Sequence, residues 1–165
     1  MKNTIKILLV ISVLITSFGF SQKKKDEVTE VKNNEVKITL HKLIDFSDSK
    51  TKAKDGYKFY VADITIENIS GKLVDMGTEY TMNISVKDAE GNEYRSGLRG
   101  AGIVSFYLTQ FGNEKQDQKA YNLCFGNSFP SKIKARSILC GFEVPKDAKI
   151  VSFGVKKKNI WSAVK

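Results

Sequence analysis

From Val36 to Val155 apolar and polar residues alternate in short runs, each closed by residues that favour turns. Val36, Ile38 and Leu40 alternate with Lys37, Thr39 and His41. Tyr60, Ala62, Ile64 and Ile66 alternate with Val61, Asp63, Thr65 and Glu67, and Asn68-Ile69-Ser70-Gly71 ends that run. Tyr80, Met82, Ile84 and Val86 alternate with Thr81, Asn83, Ser85 and Lys87. Each pattern predicts a strand with one buried and one wet face. Asp88-Ala89-Glu90-Gly91-Asn92 predicts a hairpin turn, because Asp opens such turns and Gly supplies the left-handed position. A short return strand, 93–96, is broken by Gly97, Gly100 and Gly102.

Further strand faces are expected at Val104, Phe106 and Leu108, at Tyr121, Leu123 and Phe125, and at Ile138, Cys140, Phe142 and Val144. Pro145 stops the last of these, and Val151, Phe153 and Val155 close the sheet. No sustained helical period is read in the chain. About seven to nine short strands separated by turns predict an all-β, two-sheet antiparallel sandwich or a barrel. The irregular loops after Ser47, Gly97 and Gly112 favour the sandwich.

The N-terminal segment has a different character. Lys2 and Lys6 flank the start of an apolar run, Ile7 to Ile15, and Gly19-Phe20-Ser21 follows. That is the pattern of a secretory signal, expected to form a helix over residues 1–21 and to be cleaved after Ser21. The apolar run is shorter than the ~20 residues needed to span a bilayer. An uncleaved anchor stays open, because Lys23, Lys24 and Lys25 follow at once. Residues 22–34, rich in Lys, Asp, Glu and Asn, read as a flexible lead-in. Residues 35–165 then form one domain of ordinary size. The expected location is exported, periplasmic or extracellular.

The chain carries a formal charge of +9, or +7 once Lys2 and Lys6 are removed with the leader. A basic exported protein is drawn to anionic surfaces. Lys156, Lys157 and Lys158 beside Trp161 are the candidate contact with an anionic surface, peripheral membrane included. The alternative is a C-terminal strand with Trp161 packed on the sandwich. A nucleic-acid partner is not expected, since such platforms interleave aromatics with Arg. Cys124 and Cys140 are the two cysteines. In an exported chain they are expected to form a disulfide, worth about 3 kcal/mol by loop-closure entropy. The other reading makes them small buried hydrophobes on neighbouring strands.

Little chemistry is visible. His41 is the single histidine, which excludes two-His metal motifs and leaves any Ser/His or Cys/His pair dependent on it alone. No Gly-x-Ser-x-Gly elbow is present. Gly97-Leu98-Arg99-Gly100-Ala101-Gly102 suggests a phosphate cradle only if a helix follows, and a β segment is expected there. Asp45, Asp48, Asp88, Glu90 and Glu93 lack the spacing of a calcium loop. No cofactor or metal site is implied, and no enzymatic activity is expected.

Residues 56–70, Gly-Tyr-Lys-Phe-Tyr-Val-Ala-Asp-Ile-Thr-Ile-Glu-Asn-Ile-Ser, with Asp88-x-x-Gly91-x-x-Tyr94 and Gly141-Phe142-Glu143-Val144-Pro145, resemble the motifs of a family of exported bacterial immunoglobulin-like domains, domain of unknown function 4352. The resemblance covers roughly residues 36–155. It implies an immunoglobulin-like sandwich on an exported protein and assigns no activity. The expectation is therefore an exported non-catalytic module for envelope or extracellular interaction, working through loops 47–56, 97–102 and 112–119. A small-ligand carrier with a pocket lined by Phe106, Tyr107, Tyr121 and Phe125 is the alternative.

Overall fold

The computed structural model describes residues 28–46, 53–111 and 118–165. The expected signal segment, Lys23 to Lys25, Asp48 and most of the loops 47–56 and 112–119 lie outside the described residues. The described residues form a two-sheet antiparallel sandwich of eight strands. The first sheet has the order β1-β2-β3-β6, formed by β1 (Thr29–Lys32), β2 (Val36–Phe46), β3 (Tyr57–Asn68) and β6 (Lys134–Pro145). The second has the order β5-β4-β7-β8, formed by β4 (Ile84–Asp88), β5 (Glu93–Arg95), β7 (Ile150–Val155) and β8 (Ile160–Ala163).

Alternation explains the strands and locates their faults. Val36, Ile38 and Leu40 point into the main core with Ala62, Ile64 and Ile66 of β3, and Phe153 and Val155 of β7 face them. The β2–β3 register then slips between Leu40 and Lys42, so His41 is an extra residue. A β-bulge of this kind inverts the facing of everything after it. Leu43 accordingly packs on the main core, while Ile44 and Phe46 turn to the opposite face. A second slip, between Ala62 and Asp63 in the β3–β6 register, leaves Leu139 extra. Leu139, Cys140, Phe142 and Val144 all reach the main core, and Ile138 faces the other way, against the even alternation expected for it.

The outer face of the first sheet therefore carries Phe46, Phe59 and Val61, which must be covered. A helix covers them. Gly97–Phe111 is α-helical, not the loop and strand expected there. Its stripe Gly100, Ile103, Val104, Tyr107, Leu108 and Phe111 has the 3, 1, 3, 1, 3 spacing of one helical face. A period of two can be traced through Val104, Phe106 and Leu108, but Phe106 is exposed. With α1 being the single turn Met76–Glu79, this long helix is α2, and Gln118–Cys124 forms α3 where a strand was expected. Gly100 permits α2 to lie directly on β6: a Cβ there would sit 2.4 Å from the Gly141 carbonyl oxygen, and one on Gly141 would sit 2.7 Å from Ile103 Cβ.

Three further expectations are corrected. Thr29–Lys32 is a strand inside the expected lead-in, because Thr29 and Val31 are buried against the core and alternate with exposed Glu30 and Lys32. The Asn33 carboxamide oxygen turns this strand into β2 by accepting from the Glu35 and Val36 amides, each at 2.9 Å. Tyr80, Met82, Ile84 and Val86 do not share one strand. Asp75 caps α1 by accepting from the Thr78 amide at 3.0 Å, a 3₁₀ turn covers Thr81–Asn83, and β4 begins only at Ile84. Cys124 and Cys140 are free thiols, both fully buried, with Cys124 on α3 and not on a strand beside Cys140. Thr81 lies against both: its hydroxyl donates to the Cys124 carbonyl at 2.6 Å, and its carbonyl is 4.0 Å from Cys140 Sγ.

Two outcomes follow from this packing. Gly141→Ala overpacks the α2–β6 contact and should lower stability by about 1–3 kcal/mol; urea unfolding with an unchanged midpoint would refute the close approach. Burial pushes the Cys124 thiol up to about 12 and raises that of Cys140 as well. Both thiols should therefore resist a disulfide reagent in the native protein and react fully in denaturant. Fewer than two titratable thiols after denaturation would mean that the pair is oxidised.

Candidate interaction surface

At one end of the sandwich a buried amide gathers three chain segments. Asn68, the last residue of β3, is wholly buried. Its side-chain amide donates to the Lys72 carbonyl at 2.8 Å and the Phe129 carbonyl at 2.9 Å. Its carboxamide oxygen accepts from the Ser70 amide at 2.9 Å and the Ser70 hydroxyl at 2.7 Å. Its backbone donates to the Ile133 carbonyl at 3.0 Å and accepts from the Lys132 amide at 2.9 Å. The Ile69 and Ser70 amides donate to the Glu35 carbonyl, tying the β1–β2 hairpin to the same point. Leaving such a group without partners would cost about 1–3 kcal/mol, so the loops 69–73 and 130–133 are fixed in place.

These anchored loops expose aliphatic side chains. Leu73 is 63% exposed, Ile69 44% and Ile133 40%. Lysines rim them: Lys32 and Lys37 at the hairpin, Lys72 on the first loop, Lys132 on the second and Lys134 at the start of β6. Lys132 adopts φ 60°, a left-handed conformation unusual for a residue with a Cβ. The carboxylates at these strand ends are engaged. Glu67 meets Lys37 at 3.1 Å and Lys134 at 3.8 Å, and Glu35 meets Lys72 at 3.5 Å.

The C-terminal lysines join this end through a chain of contacts. The Tyr80 hydroxyl donates to Glu35 at 2.8 Å and accepts from the Asn33 side chain at 2.9 Å. Lys158 lies 5.0 Å from the Tyr80 ring centroid and 2.6 Å from Glu79, which also meets Lys157 at 2.5 Å. Lys156 meets Glu93 at 3.0 Å. The structure thus places Lys156, Lys157 and Lys158 together on one 3₁₀ turn, each facing a carboxylate. Hydrogen bonds from Lys157 and Lys158 hold the Glu79 carboxyl down at about 2. Trp161 packs on the second sheet against Gly154, with the Lys87 ammonium 3.7 Å from its ring centroid. This is the packed-strand alternative for Trp161.

The remaining candidates have structural partners. His41 Nε2 is 2.7 Å from the Thr65 hydroxyl. Burial lowers its pKa, the cations of Arg136 and Lys134 lower it further, and Asp63 opposes them. Asp63 is itself held by Arg136 in two hydrogen bonds, 3.0 and 2.8 Å. The Gly97–Gly102 segment opens α2, and Arg99 within it pairs with Glu143 at 3.2 Å. Asp88 accepts from the Asn92 amide at 2.8 Å, the Asn92 side chain at 2.9 Å and the Tyr94 hydroxyl at 2.7 Å. Gly91 of that turn has φ 86°, the left-handed position anticipated for it.

A surface groove of about 270 Å³ beside this turn is lined by Asp88, Glu90, Asn92, Tyr94, Pro145, Asp147 and Ala148. Of the aromatic set expected to line a pocket, Tyr107 and Tyr121 both pack on the cluster of Phe46, Phe59 and Val61, and Phe106 stands apart. Tyr107 packs on Phe46 and Phe111, Tyr121 on Phe125, and Phe106 faces outward. Among the described residues no group of three or more His, Cys, Asp and Glu is placed to hold a metal ion, and no helix is long and apolar enough to cross a membrane.

The signal for the anchored end was in the sequence, as Ile69, Leu73 and Ile133 interrupt polar, lysine-bearing turns. Alternation alone treats such residues as breaks between strands.

Burial, together with the Glu35 charge it donates to, pushes the Tyr80 phenol up to about 12. A raised folded-state pKa contributes stability that is whole below the unfolded value of about 10 and is lost as pH rises through 12. Unfolding free energy should therefore drop by about 2–3 kcal/mol across that interval from this group. Tyr80→Phe should flatten the fall in part, leaving a contribution from Tyr94, also raised to about 12. Identical alkaline profiles for the two proteins would contradict the assignment.

No family model matches the chain, and no curated protein matches it. Its fold is similar to that of a conserved hypothetical protein from Bacillus anthracis, known from a 2.2 Å crystal structure. The two are 14% identical with a TM-score of 0.53, over 86% of this chain and all of the other. At that identity the likeness is one of fold.

Proposed function

We propose that this protein is an exported, non-catalytic, immunoglobulin-like module that binds an envelope or extracellular component through the end of the sandwich organised by Asn68. The observation that carries the reading is the exposure of Ile69, Leu73 and Ile133 on loops fixed by a buried amide. Exposed aliphatics on a mobile loop would lose ordering entropy on binding, whereas here the order is already present. A rigid scaffold that presents loop side chains is the usual arrangement of a binding domain. Export is supported by the leader-like pattern of residues 1–21.

The test is capture from an envelope extract by the purified protein, with Leu73→Ser/Ile133→Ser compared against Phe106→Ser on α2. All three positions are exposed, so none of the changes removes core packing. Capture should fall at least ten-fold for the loop variant and persist for the helix variant. Equal capture by both would remove the loop end from the reading.

A further inference from the structure

We infer that the component this end recognises is an anionic bilayer surface, with the aliphatic loop tips entering the headgroup region and the surrounding lysines meeting lipid phosphates. The inference rests on the reading of the Asn68 end as the working surface and names its partner.

The argument is one of charge and shape. The strand ends and loops at this end of the first sheet carry five lysines, Lys32, Lys37, Lys72, Lys132 and Lys134, against two carboxylates, Glu35 and Glu67, with Glu30 further along β1 also acting on Lys37. Both carboxylates are already engaged by lysines, and Glu35 also accepts from Tyr80. None of the ion pairs among the described residues uses Lys32 or Lys132. The field at this end is therefore positive, and the lysines surround apolar tips. Lys side chains suit that position, since their stems lie along apolar surface while the ammonium remains in water or at a phosphate.

The tips are branched aliphatics, Ile69, Leu73 and Ile133, with no aromatic and no arginine among them. That composition lacks the stacking groups a nucleic acid would need. It also lacks the Tyr, Trp and Arg anchors common in protein interfaces. It does match the two signals of peripheral membrane binding, buried apolar area plus attraction to anionic lipid. The tips are rigid as well, because Asn68 holds both loops and keeps Lys132 in its left-handed conformation through the Lys132 amide.

The experiment is co-sedimentation of the leader-free protein, residues 22–165, with vesicles of phosphatidylcholine alone and of phosphatidylcholine mixed with phosphatidylglycerol. Wild-type protein should partition onto the anionic vesicles and hardly onto the neutral ones. Leu73→Ser/Ile133→Ser should weaken partition about ten-fold or more, Lys72→Ala and Lys132→Ala about five-fold each, and Phe106→Ser not at all. Raising the salt should abolish the difference between the lysine variants and wild type, while the aliphatic variant stays weaker. Circular dichroism and urea unfolding of each variant separate loss of binding from loss of fold.

Equal partition onto neutral vesicles, or equal loss in the helix variant, overturns the lipid assignment. Absence of vesicle binding, with envelope capture still lost in the loop variant, overturns the lipid but leaves the loop end as the surface for a protein. Vesicle binding indifferent to every loop substitution overturns both.

Discussion

The sandwich depends on a change of phase in the middle of its first sheet. Paired bulges at His41 and Leu139, on either side of β3, let strands that begin with one apolar face continue with two. One face meets the second sheet through Ile38, Ile64 and Phe142. The other presents Phe46, Phe59 and Val61, and a sheet cannot leave such residues in water without losing roughly 1.5–3 kcal/mol each. Helix α2 exists in response to that demand. Its glycine at position 100 brings it down to the Gly141 backbone, and Ile103 and Val104 fill the space over β3 and β6. The domain is thus a two-layer sandwich with a helical cover over part of one layer, and the bulges decide where the cover lies.

The alternation that marks β2, β3, β6 and β7 was legible because a half-buried strand imposes its period on the sequence. It failed where local spacing and tertiary demand diverged. A single inserted residue at a bulge leaves no trace in composition, so even alternation puts Ile138 on the wrong face. The stretch Gly97–Phe111 contains three glycines and β-favouring aromatics, which speak against a helix by propensity. Its apolar residues nonetheless follow a helical stripe, and burial against β6 outweighs propensity. Thr29–Lys32 is too short for its alternation to stand out among charged neighbours, and its pairing with β2 decides it. The site was legible in its parts only. Asn68 could be read as a strand end, but three segments distant in sequence meet there solely in the folded chain.

The basic character of the protein divides in a way that composition hides. The C-terminal lysines look like the strongest positive patch, but Glu79 and Glu93 lie beside them in space, and exposed pairs of this kind partly cancel each other's field. The lysines around Ile69, Leu73 and Ile133 are spread through the chain and form no run. Proximity in the fold, and the shortage of carboxylates there, makes the loop end the more polarised region.

The order in which the first sheet is assembled carries a kinetic consequence. Its central partnership joins Tyr57 to Pro145 and Glu67 to Lys134, so β3 waits for a strand near the end of the chain. Pairings so distant along the chain are slow to close, because the intervening segment loses its freedom before contacts compensate. Until β6 arrives, one edge of β3, with Ile64 and Ile66 beside it, stays open to any other extended chain. During that interval the nascent polypeptide is at its most prone to self-association, and Lys134 of β6, which later flanks the loops, offers no protection because it has not yet been placed.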